Sequence, residues 1–207
     1  MPEPETIIAL PSAVQPVTHV RSTLIQSSLK QLKAHGRFDA YEQRLPQARR
    51  AEILDTLAPT WLAIEVAMAH YQACDELDLT TLELKRIGEA VGDRMGNMLI
   101  GALARAAKLT GITPWQFYGQ LGRAWSRAFQ GGCAGLTRVG PNESLIELRG
   151  LPLCRFAYFR HGCAGAFNAI ANLAANRAAT TIVDHSDDTL RLRGTWLDPR
   201  GDRPSAT

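Results

Sequence analysis

The chain has 207 residues, of which 45% are hydrophobic, so it is long enough to bury the core of one large domain. Its 23 basic residues are balanced by 20 acidic ones, which leaves a net charge of +3 spread along the sequence. That balance argues against nucleic acid as the main partner, because phosphate-binding proteins concentrate lysine and arginine on one face.

The N-terminal residues 1–20 carry acidic residues and prolines where a secretory signal needs a basic start and an apolar run. The absence of an uncharged apolar window of about 18 residues argues against membrane insertion. We therefore expect a cytoplasmic protein, whose few and unevenly spaced cysteines are reduced and mostly buried. These cysteines are Cys74, Cys133, Cys154 and Cys163.

The N-terminal half predicts helices in succession behind an extended leader. The leader covers residues 1–20, where prolines recur without a period. It is expected to hold one short strand around Ile7–Leu10 and to carry little of the fold. Ser22 is expected to cap the first helix, which ends where Gly36 favours a left-handed residue. The predicted helices are Thr23–His35, Phe38–Leu45, Gln47–Leu57 and one that Pro59 or Thr60 opens and that continues through Trp61 to Tyr71.

The longest predicted helix is Leu82–Leu109, where apolar residues recur at steps of three and four. Gly88, Gly92 and Gly96 stand four residues apart on it, and each costs about 1 kcal/mol relative to alanine in a helix interior. Two explanations remain open for this cost. The glycines form a groove that lets another helix or the sheet approach closely, or they leave room for a ligand beside the helix.

The C-terminal third changes from a helical to a strand period. A helix that Pro114 begins carries aromatic residues as far as Gly131, and two hairpins then flank a helix rich in alanine and glycine. The predicted elements are the strands Leu136–Val139 and Ser144–Leu148, the helix Phe156–Ala175, and the strands Ala179–Asp184 and Leu190–Trp196.

Together these elements predict an α+β fold class. An N-terminal helical bundle packs on a C-terminal four-stranded antiparallel sheet of order ββαββ, within one ligand-binding-like domain over residues 21–197. Residues 198–207 are polar and rich in proline, which is typical of a disordered tail.

Cys154, His161 and Cys163 are the nearest approach to a set of metal ligands. Their spacing argues against zinc, because residues seven apart on a helix are separated by about 10 Å along its axis. No serine or cysteine has a base at a recognisable spacing, so the sequence predicts no catalytic nucleophile.

His70 lies on a predicted helix close to Trp61, and a helix histidine can ligate haem, although it is more often an ordinary helix residue. Arg160 and His161 lie at the start of the C-terminal helix, where a helix N-terminus can attract an anion. The alternative for this pair is a cap region with solvated charges.

Several segments between Val20 and Trp196 resemble an uncharacterised bacterial family that is expanded in myxobacteria. That family is similar to the haem–nitric-oxide-binding and 4-vinyl-reductase group of ligand-binding domains, which shares a fold with transport-particle subunits of eukaryotic trafficking. The segments that carry the resemblance are the one around Trp61, the helix with Gly88, Gly92 and Gly96, Pro114 with the aromatic helix after it, Leu151-Pro152 to Gly162, and Thr181-Ile182-Val183 to Leu192 and Trp196.

The resemblance implies an apolar pocket enclosed by a helical half and a sheet, and a role in sensing a hydrophobic or tetrapyrrole ligand or in dimerising. The haem branch uses a Tyr-x-Ser-x-Arg clamp, which the segments at Tyr41 and Tyr158 do not match. The vinyl-reductase branch carries cysteines near its C-terminal hairpin, and none follows Cys163. The cofactor is therefore unknown, and haem is possible but disfavoured.

We therefore expect a non-catalytic small-molecule-binding or signalling module that acts as a homodimer in bacteria. Its apolar pocket lies between the helices and the sheet, and a polar anchor orients the ligand. The expected lining residues are Trp61, Met95, Trp115, Trp125, Phe159 and Phe167. The expected anchor is His70, Arg160 or His161.

Two alternatives stay open. The first is a dimeric scaffold without a ligand, which would show a large exposed apolar patch over Thr23–Leu57 and no internal void. The second is a haem-based gas sensor or a thiol enzyme. The thiol enzyme requires Cys163 or a histidine to titrate abnormally beside a carboxylate such as Glu65 or Asp93.

Overall fold

A computed structural model of the chain describes residues 3–56, 59–93 and 113–197. Helices pack on an antiparallel sheet, so the predicted α+β class is confirmed. The helices are α1 Ser22–Ala34, α2 Phe38–Arg44, α3 Arg50–Leu54, α4 Ile64–Asp75, α5 over residues 81–93, α6 Pro114–Tyr118, α7 Leu121–Ala128 and α8 Ala157–Asn172, with 3₁₀ turns at Gln47–Arg49 and Pro152–Arg155. None of these described helices combines the length and apolar character needed to cross a bilayer.

The strands form two antiparallel sheets. The larger sheet has the order β1-β5-β6-β8-β7 and the smaller sheet has the order β3-β2-β4. The strands are β1 Glu5–Ile8, β2 His19–Arg21, β3 Trp61–Ala63, β4 Phe129–Gln130, β5 Cys133–Gly140, β6 Glu143–Arg149, β7 Asn176–His185 and β8 Thr189–Leu197.

Both predicted hairpins are present, and their two-residue period follows from the burial of one sheet face. Leu136, Ile146 and Leu192 lie opposite one another on β5, β6 and β8, and all three are buried. On the other face, Glu147 of β6 lies opposite Arg191 of β8 and accepts a hydrogen bond from its guanidinium at 3.1 Å. Alternation of apolar and charged residues thus fixes the register.

Residues 1–20 contribute more to the fold than expected, and the predicted four-stranded sheet needs correction. The segment over residues 1–20 supplies β1, which is an edge strand of the larger sheet, and most of β2, which is the centre of the smaller one. Val17 and Val20 of this segment are buried in the core. The strand expected around Ile7–Leu10 is present as β1, two residues earlier. The sequence period could not reveal β2, because it has only three residues and exists through its pairing with β3 and β4.

The helix predicted around Trp61 is also corrected, because Trp61–Ala63 pairs with β2 as a strand and α4 begins only at Ile64. Ser22 is the first residue of α1, and Arg21 occupies the N-cap position expected for it. The Ser22 hydroxyl accepts a hydrogen bond at 3.0 Å from the backbone N–H of Thr60, just before β3. The helix predicted from Pro114 is divided into α6 and α7. Of the predicted Leu82–Leu109 helix, the part beyond residue 93 lies outside the described residues.

The spaced glycines of α5 bring α5 into backbone contact with α8. A Cβ atom at Gly88 would overlap the carbonyl group of Gly162, and one at Gly92 would overlap the backbone of Ala166. From the other side, a Cβ atom at Gly165 would overlap the carbonyl oxygen of Lys85. The groove explanation therefore holds for Gly88 and Gly92, whereas Gly96 lies outside the described residues.

We expect Gly165→Ala to lower the free energy of unfolding by about 2 kcal/mol, because the new methyl group collides with the rigid backbone of α5. Gly162→Ala is the matched control on the same helix, since no atom lies within 4 Å of a Cβ atom there. Because alanine favours a helix, we expect this control to be neutral or stabilising by up to about 1 kcal/mol. Urea denaturation of the two variants measures both values, and equal stabilities would contradict the close packing of α5 and α8.

Candidate functional site

An apolar cavity of about 160 Å³ lies among α1, α4, α5, α7 and α8. Its volume is close to that of an engineered cavity of about 150 Å³ that stays dry and binds benzene or xenon. Within the described chain, no charged side chain contributes to its lining. The aromatic lining residues are Tyr71, Trp125, Phe129, Tyr158, Phe159 and Phe167, and the aliphatic ones include Leu24, Ile87, Val91, Leu121 and Ile170.

The helical repeat places these side chains on a common wall. On α8, Phe159, Cys163 and Phe167 stand four residues apart, so they face the cavity together. On α7, Leu121 and Trp125 have the same spacing. The small residues of α5 and α8 that line the cavity leave space between the larger ones.

A buried chain of hydrogen bonds extends from one wall of the cavity into the helical core. The hydroxyl groups of Ser28 and Tyr158, which both line the cavity, are 2.7 Å apart. The Oγ atom of Ser28 lies 3.1 Å from Nε2 of His70, and Nδ1 of His70 lies 2.7 Å from the hydroxyl of Tyr41. Cys74 completes the cluster, with its Sγ atom 3.7 Å from Nε2 of the same histidine.

His70 is held in the neutral state within this chain. Its side chain is fully buried, and burial lowers the pKa of the imidazole from 6.5 to about 3. A neutral imidazole has one donor nitrogen and one acceptor nitrogen, and both nitrogens of His70 have partners. His70 therefore serves as a bridge between Tyr41 and Ser28.

Cys163 is the thiol of the cavity, but its environment does not activate it. Burial raises the pKa of this thiol, so it stays protonated and is a poor nucleophile. Glu65 and Asp93, the carboxylates considered for a thiol enzyme, are both exposed and do not line the cavity. This arrangement speaks against the thiol-enzyme alternative.

The structure brings three of the predicted lining residues to the cavity, namely Trp125, Phe159 and Phe167. Trp61 instead lies on β3, where the guanidinium of Arg21 is 4.8 Å from its ring centroid. Trp115 packs against Trp196 with ring centroids 4.9 Å apart, and its indole N–H donates to the carbonyl of Pro141. Met95 lies outside the described residues.

None of the three predicted polar anchors lines the cavity. His70 lies behind its wall, and Arg160 donates hydrogen bonds to the carbonyl groups of Cys154 and Arg155. His161 also lies outside the lining, and burial followed by the neighbouring charge of Arg160 lowers the pKa of its imidazole. Its Nδ1 atom is sealed from solvent.

The helix N-terminus beside Arg160 and His161 is occupied by a carboxylate of the chain itself. Asp75, the last residue of α4, accepts hydrogen bonds from the backbone N–H groups of Ala157 at 2.9 Å and Tyr158 at 2.6 Å. These groups are the donors that an external anion would use. Asp75 thus joins α4 to α8 and leaves no evident place for an anion.

Sequence reasoning missed Tyr71, Tyr158 and Cys163 as lining residues. A signal for Tyr71 was available, because Ala67, Tyr71 and Cys74 recur at helical spacing and form the buried face of α4.

No protein-family profile and no curated protein sequence matches the chain. Solved structures do match it. A protein studied for the function of haem distortion in the H-NOX family has a TM-score of 0.58 and 11% identity, over 88% of this chain and 98% of that chain. An oxygen-binding H-NOX domain related to soluble guanylate cyclases, solved as its oxygen complex, has a TM-score of 0.51 and 11% identity, over 88% and 98%.

A variant of the T. tengcongensis H-NOX also matches, with a TM-score of 0.52 and 13% identity, over 86% of this chain and 98% of that chain. Identities this low establish the fold alone. The expected resemblance to the haem–nitric-oxide-binding fold is therefore confirmed for the architecture. The narrower myxobacterial family and the link to transport-particle subunits stay predictions.

The side chains around the described cavity do not fit a haem group. All histidines of the sequence lie within the described residues and none lines the cavity, while both nitrogens of His70 are already hydrogen-bonded. Burial raises the pKa of Cys163 and of Tyr71, which disfavours the ionised form that an axial thiolate or phenolate needs. The cavity of about 160 Å³ is also smaller than the roughly 300 Å³ at which pockets for drug-sized ligands begin.

We expect His70 to make the stability of the protein depend on pH. Because its folded pKa of about 3 lies below the unfolded value of 6.5, the unfolded chain binds the extra proton between these values. Stability is therefore complete above about pH 6.5 and falls by up to roughly 1.4 kcal/mol per pH unit below it. His161, whose pKa is also lowered, adds a slope of the same sign.

Urea denaturation between pH 7.5 and pH 5 tests this expectation. His70→Gln should lose most of the slope and retain only the part due to other groups, whereas His35→Gln, at an exposed position, should keep the slope of the unmodified protein. A His70→Gln protein with an unchanged slope would show that the buried imidazole is not the group responsible.

Proposed function

We propose that this chain is a non-catalytic binding module that senses a small, uncharged, apolar molecule in the cavity between α5, α7 and α8. The observation that carries the proposal is an apolar cavity of about 160 Å³ with no charged side chain in its described lining. An ion in such surroundings would lose its hydration without a compensating partner, which favours a neutral ligand. The volume favours a molecule about the size of one ring.

A sensor also needs a way to report occupancy, and the helices around the cavity offer one. A ligand in this position contacts Val91 of α5 and Phe167 of α8, two helices that touch through their backbones. Occupancy would favour the arrangement of α5 and α8 that holds the ligand best, and the population of that arrangement would be the signal. The fold shared with H-NOX domains supports a sensing role.

A haem-based gas sensor is the second candidate function, and the fold likeness to H-NOX domains favours it. The described lining of the cavity contains no histidine, and its thiol and phenol groups are held protonated, so it offers no axial ligand for the iron. Titration with hemin distinguishes the two candidates. The apolar-ligand proposal predicts no saturable one-to-one complex with a sharp, shifted Soret band, and such a complex would favour the haem candidate.

Native mass spectrometry of the freshly purified protein, compared with its denatured mass, separates the remaining alternatives. A subunit that retains a small molecule supports a ligand sensor, and the mass difference gives the ligand's mass. A dimer without any adduct that also fails to bind the probes below would favour the scaffold alternative. The expected homodimer is read from the same spectrum.

We expect toluene to raise the melting temperature of the protein, because a ligand that binds only the folded state stabilises it. At a concentration of about 100 times Kd the gain is roughly 2.7 kcal/mol, which corresponds to about 5–10 °C for a domain of this size. Ala124→Leu, which adds three carbon atoms inside the cavity, should abolish this increase. Ala51→Leu, at an exposed position, is the control and should retain it.

Differential scanning fluorimetry of the three proteins with and without toluene provides the measurement. An increase that is equal in Ala124→Leu and in the unmodified protein would place the binding outside this cavity. The absence of any increase in the unmodified protein would contradict the proposal directly.

A further inference from the structure

Tyr71 is a buried polar group that the hydrogen-bonding network of the core does not use. Its side chain lines the cavity and the residue is only 7% exposed. The ring is fixed by edge-to-face contacts with His70 and Phe159, at centroid distances of 4.9 and 5.3 Å. Within the described chain its hydroxyl makes no hydrogen bond, although a buried hydroxyl without a partner is destabilising.

The other strongly polar groups of the lining are satisfied. The hydroxyl groups of Ser28 and Tyr158 bond to each other at 2.7 Å. The indole N–H of Trp125 donates to the carbonyl oxygen of Gly131 at 3.0 Å. Among the described lining residues, this leaves the hydroxyl of Tyr71, beside the weakly polar thiol of Cys163, to bond with a ligand.

The side chain of Tyr71 forms part of the cavity wall. A buried hydroxyl in that wall with no partner among the described residues is the group that a ligand in the cavity would satisfy. Cys163, on the α8 wall, is near enough to raise the pKa of the phenol.

The hydroxyl is held in its donor form. Burial is the largest cause that raises the pKa of Tyr71, so the group keeps its proton at neutral pH. A phenolic O–H is a good hydrogen-bond donor, and a neutral oxygen acceptor satisfies it without bringing a charge into the apolar cavity. A second polar group on the ligand would find no unsatisfied partner of comparable strength in the described lining.

We propose that the ligand is a neutral molecule with one apolar ring and one carbonyl oxygen, which accepts a hydrogen bond from the hydroxyl of Tyr71. This inference rests on the proposed function and adds the chemical class of the ligand. Tyr71 is thus a specificity-determining residue: the apolar wall accepts the ring, and the single donor selects ring compounds that carry a carbonyl group.

Acetophenone and α-methylstyrene test this inference, because they differ in shape very little and only acetophenone has a carbonyl oxygen. Calorimetric titration gives the ratio of the two dissociation constants for the unmodified protein and for Tyr71→Phe. We expect Tyr71→Phe to reduce the preference for acetophenone by about tenfold, the value of one hydrogen bond to a buried hydroxyl. Binding of α-methylstyrene should change little.

Tyr118→Phe is the matched control, because Tyr118 also carries a buried hydroxyl but does not line the cavity. This variant should keep the preference of the unmodified protein. Infrared spectroscopy provides a second measurement on the unmodified protein. The carbonyl stretch of bound ¹³C-labelled acetophenone should lie at a lower frequency than in an alkane, because a hydrogen bond weakens the carbonyl bond.

The outcomes separate this inference from the proposed function. If both compounds bind but Tyr71→Phe leaves their ratio unchanged, or the carbonyl stretch matches that in alkane, the inference is wrong and the proposed function stands. If neither compound binds, the proposed function and the inference both fail. A tenfold loss confined to acetophenone in Tyr71→Phe establishes the hydrogen bond.

Discussion

The backbone contact between α5 and α8 is the constraint on which the rest of the structure depends. Gly88 and Gly92 let α5 approach α8 so closely that a methyl group at either position would overlap the opposite backbone. The larger side chains of the two helices lie beside this contact. Val91 of α5 and Phe167 of α8 are among those that form the cavity wall. The Glu89 carboxylate also accepts a hydrogen bond at 2.9 Å from the side-chain amide of Asn168, which links the two helices beside this contact.

The core separates its polar groups from its apolar space. Tyr41, His70, Ser28 and Tyr158 satisfy one another in a line of hydrogen bonds beside the cavity. A fully bonded imidazole stays neutral and keeps no lone pair for a metal. The chain shares the fold of H-NOX domains, while the described lining of its cavity is apolar and offers no histidine to an iron atom.

Much of the fold follows from local patterns in the sequence. The alternation of apolar and polar residues around Ile146 and Leu192 predicts the hairpins. Gly36 adopts a left-handed conformation, with φ of 65°, just after the end of α1, as expected. The three-residue strand at Trp61 could not be predicted in this way. This strand forms because it pairs with β2. The residue types of Trp61–Ala63 are equally compatible with a continuation of the helix that begins at Ile64.

The site was less accessible to sequence reasoning than the fold. Trp125, Phe159 and Phe167 could be predicted as lining residues, because large side chains on the apolar face of a helix pack around any cavity in the core. The polar anchor was sought among histidine and arginine residues, whose chemistry is conspicuous in a sequence. Whether a buried polar group has a partner depends on residues far apart in the chain, such as Ser28 and Tyr158. That the hydroxyl of Tyr71 has none among the described residues therefore emerges only in three dimensions.

Methyl NMR spectra recorded under increasing xenon pressure test the central claim most directly, because xenon enters apolar cavities that can accept a ligand. The account predicts saturable shifts for the methyl groups of Leu24, Ile87 and Ile170, which line the cavity, and none beyond solvent effects for the exposed Val183. Shifts that are equally small and linear at all four residues would show that no accessible cavity lies between these helices, and would contradict the account.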